Sequence, residues 1–317
     1  MSQGLAGYII RRLLWAVPVI FAVSIILFVV LRLAPVDPID SLLGIRYDEE
    51  IADRLRQKYG YDQPIHIQYI KYFQNLFQGD LGVSTRRLDF SVEEVVIPKV
   101  KVSAPMGAMA LVLAYALGIP IGIYAAARRG TFRDPLTIGS WLFIDAIPIF
   151  VIAVWAMWFL ALKVSLINLS FEGVFHENII LPVLLMSFPG VAGVARFMRA
   201  SMVQVIYEDY VRTARAKGLR ERTVVISHIA RNAFLPMITS IGLSLPAIFT
   251  GSLFIELMFG IPGIAREMLE AIFVPDYDVV IGFGLFTFSL FVLANILIDI
   301  TYGFIDPRVR VEAERGG

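Results

Sequence analysis

Long uncharged stretches alternate with short charged ones along the whole of this chain of 317 residues. Five uncharged runs reach 18 residues or more: residues 13–31, 102–127, 178–195, 232–255 and 279–298. As a helix rising 1.5 Å per residue, each is long enough to cross the ~30 Å hydrocarbon core of a bilayer. A sixth run, residues 135–162, is interrupted only by Asp145 and reads as one more span. The pattern predicts an all-α membrane protein of six transmembrane helices with both termini on the same side.

Basic residues in the short loops orient the bundle. With the N-terminus inside, the inner segments carry sixteen Lys and Arg, eight of them between positions 196 and 231, and the two short outer loops carry only Lys163 and Arg266. That asymmetry predicts both termini in the cytoplasm. Residues 32–101 then form an extracytoplasmic module. In it, residues 48–59 read as a helix ended by Gly60, residues 65–77 as an amphipathic helix after Pro64, and Gly79–Gly82 as a turn. The expected organisation is residues 1–101 as first span and module, 102–307 as a five-span domain, and 308–317 as a tail. Pro105, Pro120, Pro148, Pro182, Pro189 and Pro246 all fall within the spans, where proline kinks or breaks a helix.

Composition agrees with the pattern and removes several functions. The chain is 57% hydrophobic and 17% charged, with a mean hydropathy of +0.72, which places it among polytopic membrane proteins. It has no cysteine, and its three histidines (His66, His176, His228) are far apart. Disulfides are excluded, and no cofactor or metal site is expected in this chain. A net charge of +1 without a dense basic patch gives no reason to expect nucleic acid. The apolar run after Arg11-Arg12 is long enough to span and lacks a small-residue cleavage site, so it is expected to be a retained span rather than a cleaved signal.

The longest inner loop, residues 196–231, holds a charged island at Glu208-Asp209-Tyr210-Val211-Arg212-Thr213-Ala214-Arg215-Ala216-Lys217-Gly218. Asp209 can cap a short helix. Lys217 suits its last turn, where a cation meets the helix dipole. Gly218 can supply the left-handed residue that ends it. Ala214 and Ala216 are small enough to let a partner approach closely. A solvated basic loop that serves only topology explains the same residues, and the two readings stay open at this point.

The island resembles the cytoplasmic-loop signature of the permease subunits of ABC importers, and more narrowly that of the peptide and nickel permease branch. In that branch Asp-Tyr-Val-x-x-Ala-x-Ala-Lys-Gly is followed by His-x-x-Arg-Asn-Ala-x-x-Pro; here these are residues 209–218 and 228–236. Arg212 and Thr213 stand where the broader importer signature has Glu and its first Ala. Further matches are Tyr8–Leu13, Arg32–Pro38 (with Val36 in place of the usual Gly), Gly79–Ser84, Glu256–Gly263, and Asn295 with Asp299 and Asp306-Pro307-Arg308. The resemblance implies a type I importer permease fold, pairing with a second homologous permease, and an extracytoplasmic substrate-binding protein. It also implies two cytoplasmic ATPases that hold ATP and Mg and dock on Glu208, Asp209, Tyr210, Ala214, Ala216, Lys217 and Gly218. The chain has no Gly-x-x-x-x-Gly-Lys-Ser/Thr loop of its own, and no catalytic residue is assigned.

Within the spans, Asp145, Pro148 and Asn295 are the candidate pathway residues. A carboxylate in a span is costly enough to suggest function, although Asp145 can equally pair with a neighbouring helix. Asn295 can line the pathway or bond between helices. Glu256 is expected to organise the turn at 259–263, and Arg199 to anchor a span at the inner interface. A secondary transporter using Asp145 as ion carrier is the rival reading; such transporters are commonly built from internal repeats, and none is visible here.

Overall fold

The computed structural model describes residues 5–44, 47–87 and 90–305. The 308–317 tail, the Asp306–Arg308 motif and the side chain of Asp299 lie outside what is described. Every regular element among the described residues is helical. In chain order these are α1 (Leu5–Arg32), α2 (Pro38–Leu43), α3 (Glu49–Tyr59), α4 (Ile65–Phe77), α5 (Val92–Ala127), α6 (Arg133–Ala146) and α7 (Ile149–Met157), which a π-helical turn extends to Lys163. Then follow α8 (Ile180–Val205), α9 (Asp209–Ala216), α10 (Glu221–Thr223), α11 (Arg231–Ala233), α12 (Leu235–Ser244), α13 (Leu253–Met258), α14 (Ile264–Phe273) and α15 (Tyr277–Ile305). One isolated antiparallel bridge joins Val83 and Ser91.

Five stretches are long and apolar enough to cross a membrane: Ile10–Arg32, Val92–Ala127, Glu177–Val205, Leu235–Met258 and Tyr277–Ile298. The run at 135–162 departs from the expected single straight span. It is two helices, α6 and α7 with its extension, meeting at 86°, and it makes a sixth crossing only if the bent pair is one span. Proline explains the elbow. Pro148 forces the preceding residue out of the helical region, and Ile147 is extended (ψ 124°). Pro148 then stands at the start of α7, where its missing N–H costs nothing.

The described residues fall into two compact units, and the division lies within α5 after Lys101. In the unit built from residues up to 101 and beyond 261, α1 packs along α15. Phe28, Tyr72, Tyr277, Ile281 and Leu285 form its centre. Both helices of the predicted module are present. Asp48 accepts the Glu50 and Ile51 amides to start α3, and Gly60, left-handed at φ 73°, ends it. The module is not free-standing, however. α4 lies along the second half of α1, its Tyr69, Tyr72 and Phe73 rings interleaved with Phe21 and Phe28, and Ser24 Oγ hydrogen-bonds Tyr69 Oη at 2.8 Å. In the same unit Asp276 accepts from Ser84 Oγ and the Thr85 amide. Buried Glu267 takes Arg86 and Arg87, both at 2.8 Å.

The second unit, residues 102–261, holds two apolar clusters. One joins Met106, Ala110, Ala153, Leu185, Ile255 and Phe259. The other joins Tyr115, Val194, Met198 and Met202 to Val211, Ala214, Val224, Ile229 and Met237. Glycines in α5 and α8 let helices meet at backbone distance. A Cβ on Gly122 would stand 2.6 Å from Ala195 O, and one on Gly118 2.7 Å from Val194 Cβ. Small residues at such crossings are how helices associate in lipid, where no hydrophobic effect drives them together.

Candidate functional site

The charged island folds as α9, a helix of eight residues held between two sharp turns. Its start differs from expectation. Glu208, not Asp209, takes the extended backbone of the cap position (φ −65°, ψ 144°), and no side chain bonds the free amides there. Asp209 is instead the first helical residue, where a carboxylate faces the positive end of the dipole.

The end of α9 is a Schellman motif. The Gly218 amide donates to Arg215 O at 2.9 Å and the Leu219 amide reaches back to Ala214 O at 3.4 Å. Gly218 is left-handed at φ 75°, the conformation that L side chains resist. Lys217 is the C-cap residue, beyond the last turn, and Arg215 holds the last-turn position expected of Lys217. Arg215 also reaches across the turn to Glu221 with two bonds, 3.2 and 2.8 Å. That charge-assisted fork holds the Glu221 carboxyl below its usual range.

Two residues decide which way α9 faces. Val211 and Ala214, three apart and so on one side of a helix, are 0% and 4% exposed and belong to the cluster with Val224, Ile229, Met198 and Met202. Ala214 is therefore not a surface for a partner: its small size serves the chain's own core. Of the other island residues named from sequence, Glu208, Asp209, Tyr210, Ala216, Lys217 and Gly218 are all exposed. α9 is thus a short charged rod keyed at two points into the same apolar cluster as α8 and the π-helical stretch Val224–Ala230.

One strong ion pair near this region was missed from sequence. Asp134, in the first turn of α6, is 4% exposed and accepts a two-pronged bond from Arg199 on α8, at 2.5 and 2.6 Å. Arg199 is more than an interface anchor: it fastens α6 to the last turns of α8, ten residues before α9 begins. Sixty-five positions separate the partners, and no local pattern links them. Nearer the other end of the unit, Ser103 Oγ donates to the buried carboxylate of Glu256 at 2.7 Å. The Ile261 amide bonds Glu256 O at 2.8 Å, so the residue does shape the turn after α13.

The pathway candidates do not form one cluster. Asp145 and Pro148 share the α6–α7 elbow, and both are exposed. Asn295 belongs to the other unit and donates to Phe291 O, four residues back in its own helix, at 2.8 Å, so it does not bridge helices. Among the described residues no group of His, Asp and Glu could hold a metal ion.

The comparisons with known proteins bear on this arrangement. Residues 118–311 match the family described as binding-protein-dependent transport system inner membrane component, and residues 5–89 match the N-terminal part of such membrane components. The oligopeptide transport system permease protein AppB of Bacillus subtilis (strain 168) is 33% identical over 316 residues, covering 96% of this chain and 99% of the relative. The oligopeptide permease OppB of Haemophilus influenzae is 33% identical over 304 residues, with the same coverage. The dipeptide permease DppB of Escherichia coli (strain K12) is 32% identical over 337 residues, covering 96% and 98%. With more than half its length matched by the family and near-complete alignment to these relatives, the chain belongs to the binding-protein-dependent transport system inner membrane components.

Proposed function

We propose that this chain is the permease half of an ATP-driven peptide importer in a prokaryotic inner membrane, working with a second permease, two cytoplasmic ATPases and an extracytoplasmic binding protein. Both termini and α9 face the cytoplasm in this reading, which the loop charges support. Family membership, with relatives that are oligopeptide and dipeptide permeases, supports the transport role and the peptide substrate.

The observation that carries the mechanism is the seating of α9. A helix whose charged face is exposed and whose Val211 and Ala214 are locked into the bundle suits transmission of force. ATPase closure displaces the exposed face. Because packed interiors are dense and not continuously deformable, the displacement passes to α8 and to Val224–Ala230 instead of being absorbed locally. Arg199–Asp134 hands the same motion to α6, whose far end is the elbow at Pro148. The energy source is the ATPase, and this chain supplies the lever and half of the pathway.

The test is uptake into proteoliposomes containing the complete complex. Peptide accumulation that needs ATP inside and binding protein outside, and that persists when the proton gradient is collapsed, is expected. Uptake driven by an ion gradient without ATP would favour the secondary-transporter reading.

A further inference from the structure

The apolar run Leu235–Met258 is not one helix. α12 tightens into a 3₁₀ turn over Leu245–Phe249, helix is lost over Thr250–Ser252 with Gly251 at φ 69°, and α13 resumes at Leu253. The hydrogen-bond ladder thins there. The Thr250 amide reaches Ala247 O only at 3.4 Å, and the Glu256 amide donates to Ser252 O at 2.8 Å where α13 begins. Thr250 stands fifteen positions after Leu235, about 22 Å along the helical rise, and apolar Phe249, Leu253 and Phe254 flank the gap. Non-helical backbone at such a depth cannot face hydrocarbon, where each unpaired N–H or C=O costs several kcal/mol; it persists only inside protein or along a water-filled cavity.

A cavity of about 270 Å³ opens at this gap. Two other spans meet it: Ile149 lies just after the Pro148 elbow, and Pro189-Gly190 lies inside the unbroken helix α8. Ala247 and Thr250 on its rim are exposed at the surface of the chain. No lining residue is charged. The polar groups are hydroxyls and main chain. Thr250 Oγ1 donates to Ala247 O at 3.0 Å, which leaves its lone pairs free to accept.

From the broken backbone and the uncharged cavity together we infer that the break at Ala247–Ser252 lines the translocation pathway and that Thr250 hydrogen-bonds the main chain of the substrate. This rests on the importer reading above and adds the contact surface. A peptide main chain offers an N–H to Thr250 Oγ1, whatever its side chains. A lining without charge neither selects nor repels charged side chains, so peptides of different sequence meet the same contacts. Broken helices that present their ends and unwound backbone to the substrate are a general solution for binding inside a membrane.

The chain contains no cysteine, so the label on a single-cysteine variant is read on this chain after it is separated from its partners. In reconstituted complex, Thr250→Cys is expected to react with a charged, membrane-impermeant methanethiosulfonate reagent. Saturating peptide-loaded binding protein should slow that reaction about fivefold, an occupancy effect of about 1 kcal/mol. Val112→Cys, equally apolar in its surroundings but off the cavity and 69% exposed, is expected to stay unlabelled. Thr250→Val, which keeps the shape and removes the hydroxyl, should raise the KM for uptake about tenfold, the equivalent of one hydrogen bond. Peptides with acidic, basic and neutral side chains should be affected alike. Thr250→Cys as inert as Val112→Cys, or labelling that peptide leaves unchanged, would overturn the substrate contact even where the wild-type complex imports peptide. A wild-type complex with no ATP-driven peptide uptake would remove the importer reading, and this inference with it.

Discussion

Gly218 offers the sharpest perturbation of the lever. Its φ of 75° closes the Schellman turn, and nothing lies within 4 Å of the place a Cβ would take. A side chain there meets no neighbour, so the cost is conformational alone: about 1–2 kcal/mol for an L residue held in the left-handed region. That shifts the balance between closed and frayed turn by about five- to thirtyfold. Fraying releases the bonds from Gly218 N–H to Arg215 O and from Leu219 N–H to Ala214 O, and α9 is only eight residues long. Val211 and Ala214 remain in the core, so insertion and assembly should survive. The assay is the number of peptides imported per ATP hydrolysed in proteoliposomes. Gly218→Val is expected to lower that ratio about tenfold, in line with the conformational cost. Gly218→Asn, which tolerates the left-handed region, should stay within about threefold of wild type. Equal damage from Asn and Val would mean that bulk on the surface, not backbone conformation, is what matters, and wild-type coupling in Gly218→Val would refute the argument outright.

Three further outcomes follow from the packing. Arg199→Ala leaves a buried carboxylate at Asp134 without its partner and should destabilise the protein by about 3–5 kcal/mol, read as a fall in thermal midpoint in detergent. Exchanging the two as Asp134→Arg with Arg199→Asp should recover part of that loss. Gly107→Ala places a Cβ 2.5 Å from Ile248 O, a backbone atom that cannot swing aside; a loss of about 1–3 kcal/mol from overpacking is expected in the same measurement. Asp145→Asn should leave uptake within about twofold of wild type, because the side chain is exposed at the elbow and makes no ion pair among the described residues; complete loss of uptake with normal assembly would make it a pathway residue.

How much of this could be read from the chain depended on whether the signal was local. Asp48, Gly60 and Pro64 bracket α3 and α4 within a few residues of the helices they bound, and both helices lie where those residues put them. The elbow at Pro148 was also written locally, in the extended preference of Ile147 before proline. An apolar run of adequate length, broken only by Asp145, hid it, because hydropathy measures apolar length and not straightness. The 3₁₀ turn after Ser244 was hidden in the same way. For α9 the stop at Gly218 was legible, but the direction it faces was not. An alanine carries no information about which side it serves, and only the long-range cluster with Met198 and Ile229 turns Ala214 inward. Arg199 and Asp134 lie farther apart in sequence than any periodicity reaches, so their pairing belongs to the tertiary fold alone.

The central claim is that the exposed face of α9 is where a separate ATPase docks. A photoreactive benzoylphenylalanine in place of Ala216, exposed between Arg215 and Lys217, tests it directly in membranes that contain the whole complex. A covalent adduct with the ATPase is expected from position 216 and none from the same residue placed at Leu162, which is 72% exposed in the extension of α7. An ATPase adduct from position 162, or its absence from position 216 in a complex that still transports, would contradict it.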